Sequence, residues 1–169
     1  MIDPRYVQAM ARYNSWQNGQ LVPVLEAMDA SELTCDRGSF FGSILGTANH
    51  LLWGDQIWMS RFDKGVDAPA GGIPSSPQLH PTVGSWSAQR FWLDGRIRIW
   101  ADNLKAIDLE GDLSWYSGAL GQDVTAPLAM TVMHFFNHQT HHRGQLHAML
   151  TAAGQKAPVS DLFIMPKDA

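Results

Sequence analysis

PLAMTVMHFFNHQTHHRGQLHAMLTAAG, residues 127–154, is bounded by a proline and a glycine and contains five of the chain's seven histidines. Proline suits the first position of a helix because the N–H it lacks would be unpaired there, and glycine suits the position just past the end. The stretch is therefore predicted to be a long helix, from Pro127 to Ala153. At about 100° per residue, with His134 set at 0°, His138 falls near 40° and His142 near 80°, whereas His141 lies near -20° and His147 near -140°. Leu128, Thr131, Phe135, Leu146 and Met149 centre on roughly 60–120° of the same wheel, which is the face that should meet a core. His138 and His142 are thus expected to point inward, His134 and His141 to lie at the margin, and His147 to point away.

Working outward, Trp86, Leu93, Ile97, Trp100, Leu104 and Ile107 step by three, four or seven residues and predict a preceding helix with one apolar face. Between it and the last helix, LEGDLSWYSGALGQDVTA (109–126) combines strand formers with two glycines and reads as an irregular hairpin. Near the start, Asp3 caps a first helix that opens with Pro4 and carries Met10, Tyr13, Leu21, Val24 and Met28; Pro23 is a candidate kink, and the end is expected near Asp29. Ser39 is taken as the cap of a second helix with Phe40, Ile44, Leu51 and Trp58 on its stripe, running to about Phe62. Residues 63–84, DKGVDAPAGGIPSSPQLHPTVG, form a long loop by their Pro, Gly and Ser content. The tail after Gly154 is expected to be extended and packed by Leu162, Phe163 and Ile164. The predicted fold class is all-α: one four-helix-bundle domain over 1–169, with a long loop after the second helix and a short hairpin before the fourth.

Composition narrows the function. The chain has 169 residues, 45% hydrophobic and 17% charged, enough to bury a sizeable core. A single cysteine, Cys35, rules out an internal disulfide, the N-terminal stretch lacks the pattern of a signal peptide, and no uncharged apolar run approaches the roughly 20 residues a membrane helix needs. A cytoplasmic setting without membrane attachment is the expectation. The net charge of -4, with no Lys/Arg cluster, disfavours nucleic acid as a partner.

Two imidazoles at positions i and i+4 can converge on one ion at roughly 2.0–2.1 Å. His50 is the best third candidate, because it flanks the stripe of Leu51 and Trp58. Gly54, one turn further on, leaves room beside that imidazole. Three neutral imidazoles suit transition metals better than Mg or Ca, and three protein ligands leave coordination positions open, as catalytic sites do. Metal affinity is expected to fall once the imidazoles protonate, below about pH 6.

The strings NHLLWGDQIW (49–58) and HFFNHQTHHRGQLHAML (134–150), together with YNSWQNGQL (13–21) and RGSFFGSILGTANH (37–50), resemble the signature segments of the DinB family. The resemblance spans most of the chain, with a variable stretch near 63–85. It implies a four-helix bundle, often a homodimer, in which one His of the second helix and an H-x-x-x-H pair of the fourth hold a metal; here these are His50, His138 and His142. Gln145, in the HRGQ string at 142–145, is placed to orient a ligand imidazole from behind.

Related members of that superfamily resemble S-transferases and isomerases that use low-molecular-weight thiols such as bacillithiol or mycothiol. The resemblance thus implies an enzyme acting on a small molecule, with zinc or nickel as the first choices of metal and a thiol as cosubstrate, by S-transfer or hydrolysis. The contrasting reading is a non-enzymatic, metal-binding, stress-responsive dimer, for which Trp16 and Trp92, off the helical stripes, offer a face.

Overall fold

The computed structural model describes residues 1–169 and is mostly helical. Five α-helices are α1 (Pro4–Glu26), α2 (Ala30–Thr34), α3 (Ile44–Phe62), α4 (Val83–Asn103) and α5 (Leu128–Ala152), with an antiparallel pair, β1 (Asp112–Ser117) and β2 (Gln122–Pro127), ahead of α5. The fold is therefore not strictly all-α. The four long helices surround one cluster of 24 buried hydrophobic residues, with α1 packed on α4 and α3 on α5.

The helix ends follow from local chemistry. The Asp3 carboxylate accepts the Tyr6 N–H at 3.0 Å ahead of Pro4, and α1 continues three residues beyond Pro23 before ending at Glu26, short of the expected Asp29. At the end of α5, Gly154 takes φ +73°, the left-handed conformation that glycine adopts without a Cβ clash.

The start of α3 departs from expectation. Its cap is Ser43, whose Oγ accepts the Gly46 N–H, and not Ser39. Residues 39–42 instead close a tight turn, with Gly42 at φ +75° and its N–H donated to the Ser39 carbonyl. Phe40 consequently leaves the expected stripe and is 81% exposed.

Further along, α4 stops at Asn103, so Ile107 lies outside it and exposed. Pro127 closes β2 and α5 begins one residue later, at Leu128. The tail is not packed by its apolar triplet: Phe163 is 87% exposed and Leu162 and Ile164 about half so. It is held instead by α1, through Tyr13 OH to the Ser160 carbonyl and Gln17 to the Val159 carbonyl, both at 2.6 Å.

The predicted loop does connect α3 to α4, and it contains a 3₁₀ segment, Ile73–Gln78, packed on α3. Asn49 fastens it by donating to the Pro77 and His80 carbonyls and accepting the His80 N–H. The hairpin turns Leu113 and Trp115 toward the helices by strand alternation, and Trp115 meets Trp58 at 5.3 Å between ring centroids.

Under the helices lies a polar layer that periodicity could not show. Arg90 on α4 is 1% exposed and pairs at 2.6 Å with both Asp55 of α3 and Asp94 of its own helix. Asn14 and Asn18 of α1 donate to Asp94, Gln139 of α5 donates to Asp55, and Arg143 donates to Asn14. Two carboxylates and two guanidiniums thus tie all four long helices together. Burial pushes both Asp55 and Asp94 upward, Asp94 to about 6, against the opposing attraction of Arg90.

Candidate functional site

His50 projects from the middle of α3, and His138 and His142 from adjacent turns of α5. The three rings meet, with one nitrogen from each within 4.8 Å of the other two. The rings lie 4.4 to 5.4 Å apart between centroids. His50 and His142 are buried and His138 partly so.

Hydrogen bonding fixes which nitrogen is free. The Ser76 hydroxyl donates to the Ile73 carbonyl at 2.7 Å, so its oxygen is left to accept from Nδ1–H of His50 at 2.8 Å. The Gln145 amide oxygen accepts Nδ1–H of His142 at 2.7 Å, while the Gln145 amide nitrogen faces His141 Nε2. Both imidazoles are thereby held in the tautomer whose Nε2 lone pair is open for coordination. The Nδ1 of His138 is buried and has no partner, an orphaned polar atom beside the other two rings. This donor set could hold a metal ion, at distances that draw the three nitrogens closer together.

The seat of His138 corrects one expectation. Gly54 makes room for the His138 ring, not for free space beside His50: a Cβ at residue 54 would lie 2.5 Å from His138 Cε1. Above His50, the ring of Phe41 stacks at 3.6 Å. Of the remaining histidines, His134 packs edge-on against Trp58, His141 is exposed beside Gln145, and His147 faces away, as the wheel places it.

Burial lowers the imidazoles' affinity for protons. His50 and His138 are pushed down to about 3, by burial first and then by the neighbouring imidazoles, and His142 is lowered mainly by burial. His50 and His138 stay neutral well below pH 6, so acid loss of a metal should set in lower than ordinary histidines would suggest. In the metal-free protein the unfolded chain takes up protons near pH 6.5, but the folded one does so only near 3. These groups therefore subtract stability progressively as pH falls from about 6.5 toward 3. Asp94 acts in the opposite sense below about 6. A difference experiment isolates the histidine part: the urea midpoint of metal-free His138→Asn should fall less steeply from pH 6.5 to 4.5 than that of the wild type, and parallel profiles would contradict this assignment.

The triad opens into a cleft of about 1050 Å³ between α3, α5, the 3₁₀ segment and the hairpin. Its walls are largely aromatic and aliphatic, including Trp53, Ile57, Trp58, Trp115 and Met130, and no Asp, Glu or Lys lines it. Cys35 is exposed and lies outside the cleft. Sequence reasoning missed Ser76, Phe41 and the Trp115 wall. Ser76 sits in a loop without periodicity, 26 residues from His50, and nothing local marks it.

A mostly helical protein with three histidines converging at the base of an apolar cleft is the class that the fold and site define. The chain belongs to the DinB family, whose family model matches residues 1–167. Among solved structures it is similar to a DinB-like protein from Bacillus cereus ATCC 10987, with 15% identity over 86% of this chain and 91% of that one and a TM-score of 0.63, a likeness of fold. No curated protein matches it. No helix is long and apolar enough to cross a membrane.

Proposed function

We propose that residues 1–169 form one DinB-type four-helix-bundle domain in which His50, His138 and His142 hold a divalent transition metal, zinc or nickel in the first instance, for chemistry on a small molecule. The observation that carries this reading is the pair of fixed tautomers, His50 by Ser76 and His142 by Gln145, which leave Nε2 free on neutral rings beside His138. An all-nitrogen donor set favours such ions over Mg or Ca. A bound ion would favour the deprotonated form of a thiol or water and so supply a nucleophile near neutral pH.

The chain's own residues do the rest. Ser76 and Gln145 orient the imidazoles, Phe41 covers His50, and the Trp-lined walls exclude water from an apolar electrophile. The reaction class in this reading is transfer to a low-molecular-weight thiol, or hydrolysis, in a cytoplasmic protein without nucleic-acid or membrane partners. The second reading, a non-enzymatic metal-binding homodimer, draws on the exposure of Phe91, Trp92 and Ile99 along α4.

The experiment is a Co(II)-substituted sample titrated with biological thiols, followed by its visible spectrum. A shift in intensity and position supports thiol-dependent transfer; no change with any thiol counts against it and favours hydrolysis or the binding module.

A further inference from the structure

Arg61 is the one fixed positive charge lining the cleft, and nothing in the protein neutralises it. It lies on α3, with its guanidinium carbon 4.5 Å from the centroid of the Trp58 ring and 5.5 Å from that of Trp115. The two indoles are themselves in edge contact, so the guanidinium is held where helix and hairpin meet. It makes no salt bridge. The nearest acidic residue in sequence, Asp63, is taken by Arg96 of α4. A guanidinium resting on an indole keeps N–H donors free at its rim, in the fork that matches a carboxylate. Half-buried in an apolar wall, it also loses hydration that an anion would replace; burial lowers its pKa from the usual value, a sign that the charge lacks compensation.

From Gly54, where the His138 ring rests, to Trp58 is one helical turn, about 6 Å of rise, and from His50 to Trp58 it is about 12 Å. We infer that the molecule taken by this cleft is an amphipathic carboxylate, with its apolar body along the Trp58 and Trp115 wall, its anionic end on Arg61 over those rings and its other end toward the three histidines, which begin about 6–12 Å of helix rise from Trp58. This rests on the reading of the cleft as a small-molecule site and adds the charge of its occupant. Arg61 is then a specificity residue, set on the Trp58 ring that His134 also touches and apart from His50, His138 and His142.

The test uses a matched pair of probes, 4-phenylbutyrate and its neutral amide, 4-phenylbutanamide. Binding is read by calorimetry and tryptophan fluorescence on metal-free protein, where no ion can capture the carboxylate. The wild type should bind the acid at least about tenfold more tightly than the amide, the scale of one charge-assisted hydrogen-bonded pair. Arg61→Gln should bring the two affinities together, and Arg61→Lys should restore part of the difference. Equal affinities in the wild type, no binding of either probe, or a preference that survives Arg61→Gln would overturn the inference. Co(II) uptake measured on the same samples judges the metal centre separately: a protein that prefers the acid through Arg61 yet takes up no Co(II) keeps this inference and loses the metal reading.

Discussion

His138→Ala is expected to abolish stoichiometric metal binding, taking the protein from roughly one ion per chain to a small fraction, with its fold retained. The His138 ring centroid lies 5.4 Å from that of His50 and 4.4 Å from that of His142, and its buried Nδ1 has no hydrogen-bond partner. Its removal leaves two imidazoles, which cannot hold an ion against buffer. Elemental analysis of untagged protein measures this directly. A wild type with less than about 0.3 ion per chain after metal-replete expression, with His138→Ala no different, would sink the site.

Gly54→Ala sharpens the same prediction. Alanine in a helix interior is favoured over glycine by about 1 kcal/mol, which offsets the cost of moving the His138 ring, so the variant should melt close to the wild type. Its Cβ, however, would sit 2.5 Å from His138 Cε1 and 3.1 Å from Nδ1, and the ring must swing away. Metal should be lost while stability is kept. Undiminished metal in this variant would show that the position of the His138 ring does not matter.

The largest effect on stability is expected from Arg90→Met. That substitution keeps most of the side-chain volume but leaves Asp55 and Asp94 buried without their shared partner. Breaking a buried ion pair from one side costs about 3–5 kcal/mol, because the remaining charge is neither solvated nor paired. For a chain of this size that corresponds to a fall in melting temperature of roughly 6–20 °C. Adding Asp94→Asn to the variant should recover part of the loss, since it removes one of the stranded charges. A melting temperature for Arg90→Met within a degree or two of the wild type would mean that the layer carries no net stabilisation. The layer also lies close to the metal-site candidates: Asp55 follows Gly54, and the Gln139 that donates to it follows His138. Loosening it should therefore weaken metal binding as well.

Much of the site was legible because helices repeat. The wheel set His138 and His142 apart from His134, His141 and His147, and placed Gln145 within reach of a ligand ring, where it holds His142. The hairpin was legible from strand formers and glycines, and the end of α5 from Gly154. Three features escaped. Ser39 and Ser43 are both chemically able to cap α3; the turn closed by Gly42 selects Ser43 and turns Phe40 outward. The tail triplet Leu162, Phe163 and Ile164 is apolar, but main-chain hydrogen bonds to Tyr13 and Gln17 anchor the tail upstream of it and leave it exposed. The polar layer draws Asn14, Asn18, Asp55, Arg90, Asp94, Gln139 and Arg143 from four helices, and its members look in the sequence like ordinary solvated positions.

By itself the sequence determined which faces are apolar and which histidines share one, because those properties depend only on spacing along a regular helix. Tertiary structure decided what stands opposite each face: Ser76 behind His50, Gly54 beneath His138, Asp55 and Asp94 around Arg90, and Trp58 with Trp115 against Arg61. Those contacts join residues far apart in the chain, and their geometry depends on how the helices cross and where the loop and hairpin land, which no local pattern encodes.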